Sequence, residues 1–156
     1  MTFSSLKSGL LLALLTAPLT ASWASLGDGE GAIAGDRMRM RALHSVARTS
    51  QYSVHELKAT DGSRVRQFVG PTGIIFAVSW NTLYKPDFAD MLGTSYGTYA
   101  GAAAEAAKRG GIQRQFHHQS ADLVVLSTGH MNVYSGYAFR PSLVPPGVDP
   151  QTLGLG

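Results

Sequence analysis

The chain has 156 residues, enough for one domain with a single core. It contains no cysteine, which excludes a disulfide framework, a thiolate metal site and a cysteine nucleophile. Its net charge of +3 reflects arginines that outnumber a small set of acids. The one arginine cluster, in residues 37–48, lacks stacking aromatics and a nucleic-acid reading motif. We therefore expect no nucleic-acid partner.

The first 24 residues have the pattern of a secretory signal peptide. A single cation, Lys7, precedes the apolar run GLLLALLTAPL, and small residues follow up to Ala24. The run is well short of the ~20 residues that span a bilayer. We therefore expect cleavage between Ala24 and Ser25, export to the periplasm or the medium, and no transmembrane segment in the mature chain.

The rest of the chain divides by composition into three parts. Residues 25–50 form an N-terminal segment, residues 51–142 an α+β domain, and residues 143–156 a proline-rich tail expected to lie extended over the surface. In the N-terminal segment, Asp36 can cap a short helix that runs to Arg48. Alternating arginine and methionine between residues 37 and 41 suits a strand equally well, so both alternatives stay open.

Three strands are predicted after Tyr52, with the sequences YSVHELKA, RVRQFV and IIFAVSW. Asp61-Gly62 indicates a hairpin because glycine accepts the positive φ of such turns, and Pro71-Thr72 indicates a second turn. With two-residue loops, one face is apolar and carries Val54, Val65, Val69, Ile74, Phe76, Val78 and Trp80. The other face is mixed and carries His55, Leu57, Arg64, Arg66, Phe68, Ile75 and Ser79. A slip of one residue would exchange the faces, so the pattern is expected to specify the register.

A helix is predicted from Pro86 to the glycine pair at 110–111. An aromatic and aliphatic stripe would cover the apolar sheet face: Phe88, Leu92, Tyr96, Tyr99 and Ala103. The opposite side carries Gly93, Gly97 and Gly101, each costing roughly 1 kcal/mol relative to alanine. Two interpretations are open. Either another backbone, from residues 25–50 or from a second copy of the chain in a homo-oligomer, packs closely on this glycine face, or the helix breaks at Gly93 and resumes near Tyr96.

Residues 112–120 are predicted to be a polar connector, and ADLVVLS and MNVYSGYAF to form a second hairpin around His130. The predicted fold is therefore α+β, with one antiparallel sheet of about five strands in the order β-β-β-α-β-β. One main helix packs on one face of this sheet. In one alternative for residues 25–50, a short N-terminal helix is added.

Several stretches, in this order, resemble a known family. They are SLGD, YSVHEL, GSRVRQFVGPTGIIFAVSW, PDFADMLGTSY and DLVVLSTGHMNVYSGYAFRPSLVPPGV, and they span nearly the whole mature chain. In these stretches the chain resembles the bacterial exported proteins grouped as domain-of-unknown-function family 2844. The resemblance implies export and a small single domain, and it supplies no catalytic residues.

The histidines suggest a metal site only weakly. His117 and His118 are adjacent, so on a strand they point to opposite sides, and a cluster with His130 and Asp122 lacks chelating spacing. We therefore predict no metal ligands. The sequence also lacks a G-x-S-x-G elbow, a phosphate-binding loop, a dinucleotide fingerprint and an obvious carboxylate pair, so we assign no catalytic residue and no cofactor.

Three candidate surface residues remain: His55 and Arg66, which the predicted register places near each other, and His130. The favoured function is a non-catalytic binding or envelope-associated domain. It would bind an unknown protein or a small ligand of the cell envelope through the mixed sheet face or the glycine face. The alternative is a small extracytoplasmic, hydrolase-like enzyme with a site near His55, Arg66 or His130.

Overall fold

A computed structural model describes residues 26–110 and 114–153. The predicted signal peptide and its expected cleavage site, Ala24 and Ser25, lie outside the described residues. The described chain forms one antiparallel sheet of seven strands with two helical regions. The α+β class and the antiparallel sheet are thus confirmed, whereas the prediction of five strands and one main helix is wrong. No helix among the described residues is long and apolar enough to cross a membrane.

The order of the strands shows two meanders that meet in the middle of the sheet. The strands are Leu43–Arg48 (β1), Ser53–Lys58 (β2), Arg64–Val69 (β3), Ile75–Thr82 (β4), Gln115–Gln119 (β5), Val124–His130 (β6) and Val133–Phe139 (β7). Helix α1 (Ile33–Met40) precedes them, and α2 (Phe88–Leu92) and α3 (Tyr96–Lys108) lie between β4 and β5. The order in the sheet is β1-β2-β3-β4-β7-β6-β5, so β4 pairs with β7.

The two strands that the prediction missed are the edges of the sheet. Asp36 does not cap a helix that runs to Arg48, because it lies inside α1, which ends where Arg41 adopts a left-handed φ of 48°. The chain then continues as β1. Strand β5 replaces the predicted polar connector by pairing with β6. An edge strand needs only one neighbour and can remain polar, so hydrophobic alternation does not reveal it.

The register of β2 against β3 is one residue away from the prediction. The loop between these strands has three residues, because Ala59 N donates to Ser63 O at 2.8 Å. His55 therefore pairs with Gln67, and Leu57 pairs with Val65. Since neighbouring side chains alternate between faces, every side chain of β2 lies on the opposite face from the predicted one.

In the β3–β4 hairpin the observed pairing differs from the predicted pairing by two residues over most of its length. Because side chains alternate with a period of two, such a shift leaves most of them on the predicted face. Val65 pairs with Trp80 and stays on the same face as that residue. A register shift at the end of β3 changes the alternation beside the turn. Ile75 therefore packs in the same cluster as Val69, while Phe76 packs on the opposite face.

The two helical regions cover one face of the sheet, which we call the helical face. One cluster lies near α2 and contains Leu26, Val65, Val78, Trp80, Phe88, Leu92, Leu123, Val125 and Ala138. A second lies near α1 and contains Ile33, Ala42, Leu57, Val69 and Ile75. The other face, which we call the open face, is covered by described residues at one end only. There the C-terminal tail forms two 3₁₀ turns and closes a third cluster around Phe68, Phe76, Phe139 and Leu153.

The predicted long helix breaks at Gly93, as one of the two interpretations anticipated. Gly93 has φ 51° and ψ −124°, a conformation that glycine adopts most readily, and α3 resumes at Tyr96. A Cβ placed at Gly97 or Gly101 would meet no described atom within 4 Å beyond its chain neighbours and the adjacent backbone of its own helix. No described backbone therefore packs against these two glycines, and a homo-oligomer through Gly93, Gly97 and Gly101 stays a prediction.

Candidate functional site

Two adjacent rows of side chains on the open face form a hydrophilic surface, which we call the polar platform. Strand pairing aligns the first row as Lys58, Arg64, Asn81, Ser135, Thr128 and Gln115. It aligns the second row as Glu56, Arg66, Ser79, Tyr137, Leu126 and His117. Since neighbouring strands lie about 4.8 Å apart, each row extends for about 24 Å across six strands. From β2 to β5 the first row contains no apolar side chain, and it ends at β1, where Leu43 pairs with Lys58.

One end of the platform is cationic. Arg66 Nε donates to Glu56 Oε2 at 2.8 Å, and Arg64 Nε lies 3.7 Å from the same oxygen. Within the two rows, this end therefore has one carboxylate, that of Glu56, and three cations, the third being Lys58. A groove of about 330 Å³ lies above the two arginines and is also lined by Ser79, Asn81 and Ser135. Guanidinium groups in such a groove suit a carboxylate or phosphate group.

The middle of the platform is neutral and rich in hydrogen-bonding groups. Thr128 Oγ1 and Ser135 Oγ lie 2.8 Å apart. Tyr137 stacks on Phe139 with a centroid distance of 6.3 Å and an interplanar angle of 13°, which places an aromatic ring where the platform meets the tail-covered cluster. Hydroxyl and amide groups both donate and accept hydrogen bonds, so this part of the surface matches a ligand with many hydroxyl groups.

The structure separates the three candidate residues. Arg66 lies on the platform in β3, and His130 is exposed on the same face at the end of β6. These strands are three positions apart, or about 14 Å. His55 lies on the helical face and is only 3% exposed. The predicted proximity of His55 and Arg66 is therefore wrong, and the cause is the shifted register of β2.

The fold does not bring the histidines and Asp122 of the weak metal hypothesis together as a set of ligands. His117 lies on the platform and His118 on the helical face, because adjacent residues of a strand alternate. Asp122 lies before β6 and His130 at its far end. Within residues 26–110 and 114–153, no three His, Asp or Glu side chains are arranged to hold a metal ion.

Sequence reasoning missed most of the first row of the platform. Ser135 and Tyr137, like Leu126 and Thr128, are two residues apart, so alternation alone could have placed each pair on one face of the second hairpin. Nothing in the sequence indicates that β7 pairs with β4. That pairing is what joins the hairpin to the two arginines.

His55 lies in a polar cluster beside a 3₁₀ turn at Glu30–Ala32. Its Nδ1 lies 3.1 Å from His44 Nε2, and its Nε2 lies 3.1 Å from Glu30 Oε1 and 3.2 Å from Ser53 Oγ. A Ser–His–acid relay needs the serine and the acid on different ring nitrogens. Here both contact Nε2, so the cluster does not have the geometry of a hydrolase triad.

The His55 cluster makes stability dependent on pH. Burial is the largest cause that lowers the pKa of His55 below 6.5; His44 and Arg48 act in the same direction and Glu30 opposes them. The unfolded chain therefore binds more protons than the folded chain once the pH falls below about 6.5.

We expect the free energy of unfolding in urea to decrease as the pH falls from 7 to 5, and His55→Gln to reduce this dependence. His130→Gln, at an exposed position, is the control and should leave it unchanged; equal slopes in wild type and His55→Gln would contradict the assignment.

Comparison with known proteins gives one match. A family model described as a protein of unknown function (DUF2844) matches residues 22–153. No curated protein and no solved structure matches the chain. The matched region includes all seven strands, and therefore both rows of the platform.

Proposed function

The chain belongs to the DUF2844 family of proteins of unknown function, and on that premise we propose that it is an exported, non-catalytic binding domain for an anionic glycan of the cell envelope. The signal-peptide pattern in residues 1–24 supports export. The observation that supports the ligand class most directly is the run of six polar side chains from β2 to β5, which ends at Leu43 on β1.

The length and the charge of the platform favour an extended anionic polymer. A row of about 24 Å offers contacts to several consecutive units of a chain laid across the strands. Lys58, Arg64 and Arg66 would bind carboxylate or phosphate groups, while the hydroxyl and amide side chains would bind sugar hydroxyls. A single-stranded nucleic acid fits less well, because the two rows include only one large aromatic ring, Tyr137, on which a base could stack.

The proposal predicts binding of the mature chain to alginate, a polyuronate, in affinity electrophoresis. Dextran, which is neutral, should not retard it. The double substitution Arg64→Gln/Arg66→Gln should weaken alginate binding at least about tenfold, because it removes two charged hydrogen-bond donors. The matched control is Arg37→Gln/Arg109→Gln, which also removes two arginines, both exposed, in α1 and at the end of α3, and it should have little effect.

Three outcomes would contradict the proposal. One is the absence of alginate binding in the wild type. Another is an equal loss of binding in Arg37→Gln/Arg109→Gln, since the change in net charge alone would then explain the loss. The third is binding to an oligothymidylate as strong as to alginate. The hydrolase-like alternative near His55, Arg66 or His130 gains no support, because these side chains do not meet.

A further inference from the structure

We infer that the chain has a second binding site, a pocket on the helical face that takes a small apolar amine. The pocket has a volume of about 280 Å³ and lies between α1, α2 and strands β3 and β4. Small-molecule sites usually measure about 300–1,000 Å³, so this one suits a small ligand. It lies on the opposite face of the sheet from the platform and does not depend on the function proposed above.

The floor and walls of the pocket are apolar. Val65 and Val78 contribute from the sheet, Met40 from the end of α1 and Met91 from α2. Both methionines also pack against the cluster that contains Trp80. Methionine side chains are flexible and polarizable, so these walls can adapt to an aromatic or aliphatic body.

Carboxylates are prominent among the polar groups that line the pocket. Asp36 and Gln67 form its buried end and are 3% and 1% exposed. Gln67 Nε2 donates to Asp36 Oδ2 at 2.7 Å, and Arg39 forms an ion pair with Oδ1 of the same carboxylate. This pairing fixes the carboxylate in the pocket wall and offsets the cost of burying it.

The charges around the pocket favour a cation. Three carboxylates line it, those of Asp36, Asp61 and Asp87, against one ammonium group, that of Lys85. With Arg39 behind Asp36 included, the surroundings still carry one more negative charge than positive. A ligand with an apolar body and a protonated amine therefore complements both the walls and the charge.

Methyl NMR of the mature chain, labelled at the methionine methyl groups, tests this site. After cleavage of the signal peptide the chain contains four methionines. Met40 and Met91 line the pocket, whereas Met38 and Met131 are 73% and 86% exposed and serve as internal controls. The probes share one body and differ in charge: 4-methylbenzylamine, 4-methylbenzyl alcohol and 4-methylbenzoate.

We expect the amine to shift the Met40 and Met91 signals saturably and to leave Met38 and Met131 in place. The alcohol should bind about tenfold more weakly, because a charged donor makes the stronger hydrogen bond, and the carboxylate should not bind. Asp36→Asn should reduce the preference for the amine. Arg64→Gln/Arg66→Gln should not change it, which separates a failure here from a failure of the platform.

The probe series is measured in the wild-type chain, so it tests the site and its ligand class even if Asp36→Asn does not fold. Shifts of all four methionines, or of none at millimolar amine, would overturn the site. Binding of the carboxylate as tight as that of the amine would overturn the proposed ligand class.

Discussion

Gly136→Ala is expected to lower the free energy of unfolding by about 3 kcal/mol or more, because overpacking here cannot be relieved by a side chain alone. A Cβ at this position would lie 2.2 Å from Leu126 O, 2.6 Å from Trp80 Cζ2 and 2.9 Å from Ser127 Cα. Two of these atoms belong to the backbone of β6, which is paired on both sides. The indole packs edge-on against Phe88 at 5.5 Å and has little room to move. Urea unfolding of the mature chain measures the change.

The matched control makes the same substitution at an open helical position. A Cβ at Gly97 meets no described atom within 4 Å beyond its chain neighbours and the adjacent backbone of its own helix, and this glycine lies inside α3. Gly97→Ala should therefore increase the free energy of unfolding by up to about 1 kcal/mol, in line with helix propensity. If Gly136→Ala left the free energy of unfolding unchanged, the pairing of β7 with β6 beneath Trp80 could not be as described.

Phe76→Ala is expected to cost about 3–5 kcal/mol, the range for removing a fully buried phenylalanine. Phe76 is 0% exposed and lies between Tyr52 and Phe68, with centroid distances of 6.0 and 6.3 Å. Its cluster is the one that the tail closes through Leu153. The substitution should therefore also speed amide hydrogen exchange in the 3₁₀ turns of the tail.

Phe116→Ala is the control for the same deletion at a less buried site. Phe116 is partly buried on edge strand β5, with its ring 5.2 Å from Tyr99. We expect a cost of about 1–2 kcal/mol and no change in exchange at the tail. Equal costs for the two substitutions would show that the tail does not bury Phe76.

Local signals predicted where the turns lie and where the long helical region begins and ends, but not the length of the first turn or the end of α1. Gly62, Gly73 and Gly110 all have positive φ, as hairpin and helix-end glycines do. Asp87 caps α2 by accepting the N–H groups of Ala89 and Asp90. Such features depend on interactions within a few residues, so a short stretch of sequence contains most of the information that decides them.

The register of β2 shows where this kind of inference ends. Asp61-Gly62 fits a two-residue loop and a three-residue loop equally well, and alternation within β2 is compatible with either face. The choice is made by packing, because Leu57 and His55 fit beneath α1 and the Glu30 turn. That contact joins residues distant in the chain, and the pattern of one strand does not encode it.

The sequence alone thus determined the α+β class, the antiparallel hairpins, the absence of cysteine chemistry and the resemblance to a family of unknown function. Only the tertiary structure decided that β7 pairs with β4, which aligns Arg64, Asn81 and Ser135 in one row, and that the helical regions enclose a pocket beside Asp36. The physical reason is the range of the interactions. Turns and caps form between near neighbours in the chain, whereas the platform and the pocket each require side chains from distant segments to share one face of the finished sheet.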